Sequence, residues 1–182
     1  MLQSDIQNHY TTVWGVGGQI CPFLWGPTHE LPFGFSVVKF PPHKDRPMWA
    51  YATCCMSLPS DLKSIELHIF SPVESDSIVE ILYAVAHFHR TGTALDLGHS
   101  VNFGRPWIDQ SDCDHGLLSL PYLDGPAIEK YEVSNSFINC YWLIPITRSE
   151  VSYKKTNGLE ALETLFERSE LDYVNPARKT VI

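Results

Sequence analysis

The chain has 182 residues, of which 44% are hydrophobic and 19% are charged. This balance is typical of a folded globular protein and excludes an extended disordered chain. Lys and Arg number 13 against 21 Asp and Glu, so the formal net charge is −8, and no basic run occurs. Because phosphate backbones are bound mainly by Lys and Arg, direct nucleic-acid binding is not expected, whereas an acidic surface favours encounter with a basic protein or peptide.

The N-terminal segment, residues 1–30, is predicted to form a helix or arm that packs on a single domain covering residues 1–182. Its first residues, MLQSDIQNHYTTVW, lack the basic and apolar regions of a secretory signal peptide. No apolar run approaches the ~18 residues of a membrane span. The five cysteines are odd in number and contain no C-x-x-C pair. Together these features predict a protein of the reducing cytoplasm with no membrane partner.

Three strands are predicted in succession after this segment. GFSVVKF (34–40) stops at a Pro-Pro pair, and MWAYATCCMSL (48–58) is rich in aromatic and small residues. SIELHIF (64–70) alternates in the period of two, which is typical of a strand with two different faces. Their order along the chain predicts an antiparallel meander.

The hydrophobic period then changes to that of a helix, which we predict over residues 77–90. The apolar positions at helical spacing are Ile78, Ile81, Leu82, Val85, Ala86 and Phe88. Ser77 and Glu80 have the spacing of a capping box, in which a hydroxyl and a carboxylate satisfy free amides of the first turn. Residues 93–115 are rich in turn residues, which predicts loops with short strand pieces.

Two further strands are expected in the second half of the chain. GLLSLPYL (116–123) is a candidate strand, and FINCYWLIPI (137–146) is a nearly continuous apolar run, as expected of a central strand covered on both faces. Strands interleaved with helices, with the helices grouped late, predict an α/β (α+β) domain. Its mixed, largely antiparallel central β-sheet would be flanked by α-helices.

The C-terminal third contains the clearest helix signals. Thr147 and Glu150 form a second capping-box pattern, which predicts a helix that runs to about Lys155. Asn157 is a candidate cap for a following amphipathic helix. One face of that helix would carry Leu159, Leu162, Leu165 and Phe166.

A metal site is the main enzymatic alternative. Its candidate ligands are His87, His89, His99, Cys113 and His115. Zinc requires three or four such side chains in a compact tetrahedron, and two histidines two positions apart at a helix end diverge by roughly 200°. The spacing matches no zinc signature, and no nucleophile elbow or phosphate-binding glycine motif is present. A metal-dependent hydrolase therefore stays the alternative, and no cofactor is predicted.

The order of several segments resembles the Suppressor of fused domain, and most closely its single-domain bacterial branch. These segments are SIELHIF, then AVAHFHRTGTALDLGHSVNFGRPW, then LLSLPYL, then YWLIPITRSEVSYKKTNGLEALETLF. The most specific pieces are the Gly98–His99 pair after the helix and the block in which a capping box and Asn157–Gly158 follow an apolar strand. The resemblance covers roughly residues 30–180. It implies the mixed α/β fold of that family and a non-enzymatic role in protein binding.

The resemblance also implies a class of partner. Animal members sequester transcription factors of the Hedgehog pathway, with the partner peptide adding to a sheet edge, whereas bacterial members are proposed to be immunity proteins against neighbouring toxins. This chain has Gly98 where animal members have an acidic residue before the histidine, and the second, C-terminal domain of animal members is not expected here. We therefore expect an immunity protein that neutralises a cognate toxin, for example a basic one, by occlusion. A regulatory scaffold without a toxin partner is the alternative.

The glycine-rich stretch after the predicted helix supplies the candidate contact residues. His99 is either a buried hydrogen-bonding hub or part of a partner groove, and Trp107 is either core or an interface anchor. Exposed Trp and Arg residues are the most frequent interface hot spots. The residues expected to contact the partner are His99, Arg105, Trp107, Asp109, Asp112 and Asp114. On this hypothesis, Trp107→Ala weakens binding by more than about 1 kcal/mol while the fold stays intact.

Overall fold

A computed structural model describes residues 2–23, 26–133 and 136–182. Eight strands form one sheet in the described residues. They are β1 Gln19–Cys21, β2 Ser36–Phe40, β3 Trp49–Cys54, β4 Ile65–Ser71, β5 Ser100–Asn102, β6 Cys113–Ser119, β7 Lys130–Val133 and β8 Ser136–Thr147. The α-helices are α1 Leu2–Trp14, α2 Asp76–Thr91, α3 Pro126–Glu129, α4 Arg148–Asn157 and α5 Leu159–Arg168.

The strands follow the spatial order β1-β2-β3-β4-β8-β6-β5, and β7 pairs with β8 beside this path. The pair β4 and β8 is parallel, and the other pairs are antiparallel. The predicted meander of β2, β3 and β4 and the predicted fold class are therefore confirmed. The apolar run at 137–146 is confirmed as a central strand, because β8 lies between β4 and β6.

Helices cover both faces of the sheet, and each face has its own apolar cluster. On one face α1 and α5 pack against β2, β3 and β8, with Tyr10, Trp142 and Phe166 in the centre. On the other face α2 packs against β3, β4 and β8, and Trp107 closes this cluster. The first helix of the predicted N-terminal arm is thus part of the core, and β1 was not predicted.

The alternating strand β4 is buried on both of its faces. The predicted strand with two different faces is confirmed, and every one of its residues is buried, including Glu66 and His68. The reason is that β4 has β3 and β8 as neighbours and a helix layer on each face. Polar side chains on it are therefore buried in the α1-side layer and do not face water.

The helix α2 is confirmed, but the capping box proposed for it is wrong. The N-cap residue is Ser75, which makes no side-chain cap bond, and Ser77 already lies inside the helix. Glu80 forms an ion pair with Arg105 instead, and the guanidinium of Arg105 also donates to the carbonyl of Ser77 at 3.2 Å. The carboxylate of Glu80 therefore pairs with a charge that is distant in the sequence, and the capping box that the local pattern predicts does not form.

Of the two caps predicted for the C-terminal helices, one is confirmed and the other is wrong. The amide of Glu150 donates to Oγ1 of Thr147 at 3.3 Å, and the amide of Thr147 donates to the Glu150 carboxylate at 2.8 Å, so the capping box is confirmed. Asn157 does not cap α5, because its amide donates to the carbonyl of Tyr153 inside α4. Gly158 connects the helices with φ +93°, a conformation that favours glycine.

The strand predicted at 116–123 begins and ends three or four residues earlier, at Cys113–Ser119. Its neighbour β5 is one of the short strand pieces expected in the turn-rich region. Gly116 lies in the middle of β6, where a Cβ atom would come within 2.6 Å of the rings or methyl groups of Phe103 and Leu143. The missing side chain leaves room for the Phe103 ring to approach the backbone of β6 closely.

Candidate partner-binding surface

The strand β5 is an open edge of the sheet. Among the described strands it pairs with β6 alone, over Ser100–Asn102. The carbonyl of His99 and the amide of Phe103 both bond to β6. Because backbone groups alternate in direction along an antiparallel ladder, the N–H and C=O groups of Ser100 and Asn102 point away from β6. A further strand could add there.

The opposite end of the sheet, β1, has a different character. The groove beside β1 has a volume of about 260 Å³ and is lined partly by the charged residues Lys39, Asp76 and Glu80. Lys39 is already paired with Glu74. On its α2 side, the β5 end offers a more apolar groove than the one beside β1.

On the α2 side, β5 borders an apolar groove of about 260 Å³. Ala84, Val85 and Phe88 form its helical wall, and Val101 and Phe103 form its wall on the sheet. Phe88 is 41% exposed, although it is a large aromatic residue. We call this feature the α2 groove. Its exposed apolar area would be covered by the side chains of an added strand.

On the opposite face, β5 borders a polar pocket of about 330 Å³. Asn102, Asp114 and His115 form its floor, and Arg148 and Lys155 reach it from α4. The carboxylate of Asp114 contacts Nδ1 of the adjacent His115 at 2.6 Å. We call this feature the α4 pocket. The open edge thus has an apolar neighbour on one face and a charged neighbour on the other.

The turn before β5 is held by bonds to two elements. The amide of Gly98 donates to the carbonyl of Leu118 at 2.8 Å, and Nζ of Lys154 donates to the carbonyl of Gly98 at 2.7 Å. Burial and the neighbouring charge of Lys155 lower the pKa of Lys154. Gly98 has φ +78°, and this left-handed conformation positions the turn against α5.

The predicted contact residues lie at different depths. His99 is exposed, so it is not the buried hub, although its Nδ1 accepts from the amide of Asp96 at 3.2 Å. Arg105 is exposed and paired with Glu80 beyond the end of β5. Trp107 is 1% exposed and donates through Nε1 to Ser111 Oγ at 3.0 Å. Of the two positions left open for Trp107, the structure shows the core position.

The three predicted aspartates are not one cluster around β5. Asp114 lines the α4 pocket directly, whereas Asp109 lies exposed in the preceding loop. Asp112 is exposed and accepts a bond from Nζ of Lys179 at 3.0 Å, which ties the loop to the C-terminal tail. The structure therefore brings His99 and Asp114 to the open edge and leaves Asp109 and Asp112 beside it.

The five residues of the metal alternative do not converge. His87 pairs with Glu30 on the outer side of α2, and Cys113 is fully buried under Trp107. His89 is buried as well, where it accepts from the amide of Leu95 through Nδ1 at 2.9 Å. Throughout residues 2–23, 26–133 and 136–182, no group of three or more His, Cys, Asp or Glu side chains has a metal-binding arrangement.

Two ionisable side chains are fully buried on the α1 side of β4. Burial raises the pKa of Glu66 to about 8 and, with the nearby charge of Arg46, lowers that of His68 to about 3. Glu66 accepts from the amide of Met56 at 2.9 Å and from the hydroxyl of Thr53. Since both groups are 0% exposed, they act within the core and do not contact a substrate in this conformation.

Four residues of this surface were missed from the sequence. They are Phe88, Phe103, Arg148 and Lys155. The sequence counts Phe88 among the apolar positions of α2, but in the structure the buried stripe runs through Leu82, Val85, Ala86 and His89, and Phe88 lies beside it. No comparable pattern marks the basic residues, since α4 becomes a wall of the pocket only when β8 and β6 pair.

The helices in the described part of the chain include none that is long and apolar enough to span a membrane. A comparison with curated protein sequences gives no match. The family model of Suppressor of fused protein (SUFU) matches residues 33–179. This match covers β2 to the C-terminal tail and leaves α1 and β1 outside.

Solved structures share the whole fold. The Suppressor of fused homologue from Neisseria gonorrhoeae FA 1090 is 29% identical, with a TM-score of 0.85 over 100% of this chain and 97% of that chain. A chain of the Sufu–Fu complex crystal structure is 12% identical, with a TM-score of 0.74 over 99% of this chain and 92% of its own length. Drosophila Suppressor of Fused is 14% identical, with a TM-score of 0.66 over 97% of this chain and 50% of its own.

The family is in general one of non-catalytic binding and regulatory proteins, and one of the structural relatives was solved as a complex with a protein. The family model covers most of the chain and every strand from β2 to β8. The full-length structural match to the Neisseria gonorrhoeae homologue agrees with it. On these grounds the chain belongs to the Suppressor of fused family.

Proposed function

We propose that this protein binds a protein partner at the open edge of β5, by addition of an extended segment of the partner. The observation that carries the proposal is the pair of outward backbone positions, Ser100 and Asn102, next to the partly exposed Phe88 in the α2 groove. Unpaired edge groups supply hydrogen bonds to an added strand, and adjoining pockets for alternate side chains supply specificity. The Sufu–Fu complex supports protein binding as the general role.

The partner that we propose is a toxin, which this protein neutralises by occlusion in the cytoplasm. The net charge of −8 supports a basic partner, because opposite charge raises the rate of encounter. A stable complex of this kind buries roughly 1,600 Å² in total. The β5 edge would be one part of that area, and the exposed surface of α2 would be another.

The test is co-expression of this protein with the product of the gene immediately upstream, followed by pull-down and by a growth assay. Complex formation and rescue of growth support the immunity role. A complex without any toxicity of the partner would favour a regulatory scaffold and overturn the toxin part. Absence of both a complex and toxicity removes the immunity role for that pair.

The contact itself is tested with two variants. Ser100→Pro removes an outward amide without removing a bond to β6, and proline is tolerated at strand edges. Phe88→Asp places a charge in the α2 groove. The matched control is Phe137→Asp, since Phe137 is 54% exposed at a different part of the sheet. We expect the first two variants to lose the partner and the control to retain it, with unfolding temperatures unchanged for Ser100→Pro.

A further inference from the structure

Two basic side chains border the open edge without a charged partner. Arg148, the first residue of α4, and Lys155, two turns later, both line the α4 pocket and are exposed. In the described ranges neither forms an ion pair or a side-chain hydrogen bond. This local basic site is unexpected on a chain with a net charge of −8.

One acidic side chain, Asp114, lies among the residues that line the pocket, where it contacts His115. The nearby Asp112 is paired with Lys179 in the loop. The third basic residue of α4, Lys154, is bonded to the carbonyl of Gly98. Two basic side chains, Arg148 and Lys155, against the one carboxylate of Asp114 give the lining of the α4 pocket a net positive charge, which suits an acidic ligand.

The alternation of side chains along a strand determines how a ligand would reach Arg148 and Lys155. Side chains of a strand that pairs with β5 alternate between the two faces of the sheet. The side chain of Val101 lies on the α2 face, whereas Asn102 faces the α4 pocket. Successive residues of an added strand would therefore contact the α2 groove and the α4 pocket in turn.

We infer that the β5 edge selects an extended protein segment in which apolar residues alternate with Asp or Glu. The apolar side chains pack on Phe88 and Phe103, and the carboxylates bind Arg148 and Lys155. This inference rests on the proposed strand addition and adds the chemistry of the segment. It is compatible with a partner that is basic elsewhere. The negative net charge of this protein attracts the partner as a whole during approach, whereas the α4 pocket contacts the side chains on one face of a single added strand.

The first experiment uses three labelled synthetic peptides, about eight residues long as in an ordinary strand. Valine alternates with Glu in the first, with Gln in the second and with Lys in the third. Binding is measured by fluorescence anisotropy at low and at high salt. We expect the Glu peptide to bind at least about tenfold more tightly than the Gln peptide, the Lys peptide to bind most weakly, and salt to reduce the difference.

The second experiment assigns the preference to residues. The double variant Arg148→Glu, Lys155→Glu reverses the charge of these two positions in the α4 pocket. The matched control, Lys44→Glu, Arg168→Glu, makes the same change of net charge at exposed residues elsewhere. We expect the pocket variant to reverse the order of the Glu and Lys peptides. The control should leave that order unchanged.

The outcomes separate this inference from the proposed function. Equal binding of the three peptides, abolished by Ser100→Pro, would retain strand addition and overturn the acidic preference. Tighter binding of the Lys peptide, or the same reversal in the control variant, would also overturn it. If none of the peptides binds, the inference is refuted, whereas the pull-down with Ser100→Pro still decides whether a full-length partner uses this edge.

Discussion

The buried ion pair between Glu150 and Arg178 should be the strongest tether of the C-terminal tail. Glu150 is 0% exposed, and both of its carboxylate oxygens accept from the guanidinium of Arg178 at 2.8 Å. The amides of Thr147 and Val181 donate to the same carboxylate at 2.8 and 3.1 Å. Arg178 is 6% exposed and also donates to the carbonyl of Pro145 at 2.8 Å. One carboxylate thus joins α4, β8 and the tail.

The perturbation is Glu150→Gln, which keeps the shape and removes the charge. Removal of one partner of a buried pair costs about 3–5 kcal/mol, because the remaining charge stays desolvated and unpaired. The glutamine keeps one carbonyl acceptor for the capping box, so we expect the lower end, about 3 kcal/mol. Against a total stability of about 5–15 kcal/mol the variant should still fold. With a denaturant slope of about 2 kcal/mol/M, the urea midpoint should fall by about 1.5 M.

The assay is equilibrium urea unfolding, with Glu160→Gln as the control, because Glu160 is an exposed residue of α5. The double variant Glu150→Gln, Arg178→Met completes a cycle, and we expect it to lose much less than the sum of the two single changes. Hydrogen exchange of the Val181 amide should rise in the single variants. A loss below about 1 kcal/mol for Glu150→Gln, or additive changes in the cycle, would refute the reasoning.

Three further predictions concern buried or strained residues. The pKa of Glu66 is raised from 4.5 to about 8, so the folded state retains a proton that the unfolded state releases; this contribution to stability is complete below pH 4.5 and is lost by pH 8. The free energy of unfolding should therefore fall by about 4 kcal/mol between pH 5 and 8, and Glu66→Gln should remove this fall. An unchanged pH slope in the variant would contradict this. Gly98→Ala should cost about 1–2 kcal/mol in urea unfolding, because an L residue is strained at positive φ and its Cβ would lie 3.3 Å from Leu159, so unchanged stability would argue against this turn. Trp107→Ala should cost about 3–5 kcal/mol in thermal unfolding, whereas normal stability with weakened partner binding would mean that this side chain is a contact residue.

The elements that depend on local pattern could be predicted from the sequence. The apolar run of β8, the helical period of α2 and the capping box at Thr147 each require only neighbouring residues to specify them, and each is confirmed. The order of recognisable segments was also sufficient to indicate the family. The candidate site could be predicted only to the region around residues 98–115, because local pattern does not indicate which strand has a free edge.

The tertiary structure alone decided which charges are buried and which are available. Glu150 was predicted as a cap, but its partner Arg178 lies 28 residues further along the chain and meets it only when the tail folds back on β8. Glu80 had the same cap spacing and pairs with Arg105 instead, since β5 ends beside the first turns of α2. Short-range spacing cannot distinguish these two outcomes, because each depends on a charge brought from a distant segment.

The sequence by itself determined most of the longer strands and helices, the fold class and the acidic character of this protein. Only the tertiary structure decided that β5 is an open edge, that Trp107 is core, and that Arg148 and Lys155 stand beside the edge. The physical reason is that hydrophobic periodicity is a property of adjacent residues. Strand order and the exposure of a side chain depend on how complete layers pack on both faces of the sheet.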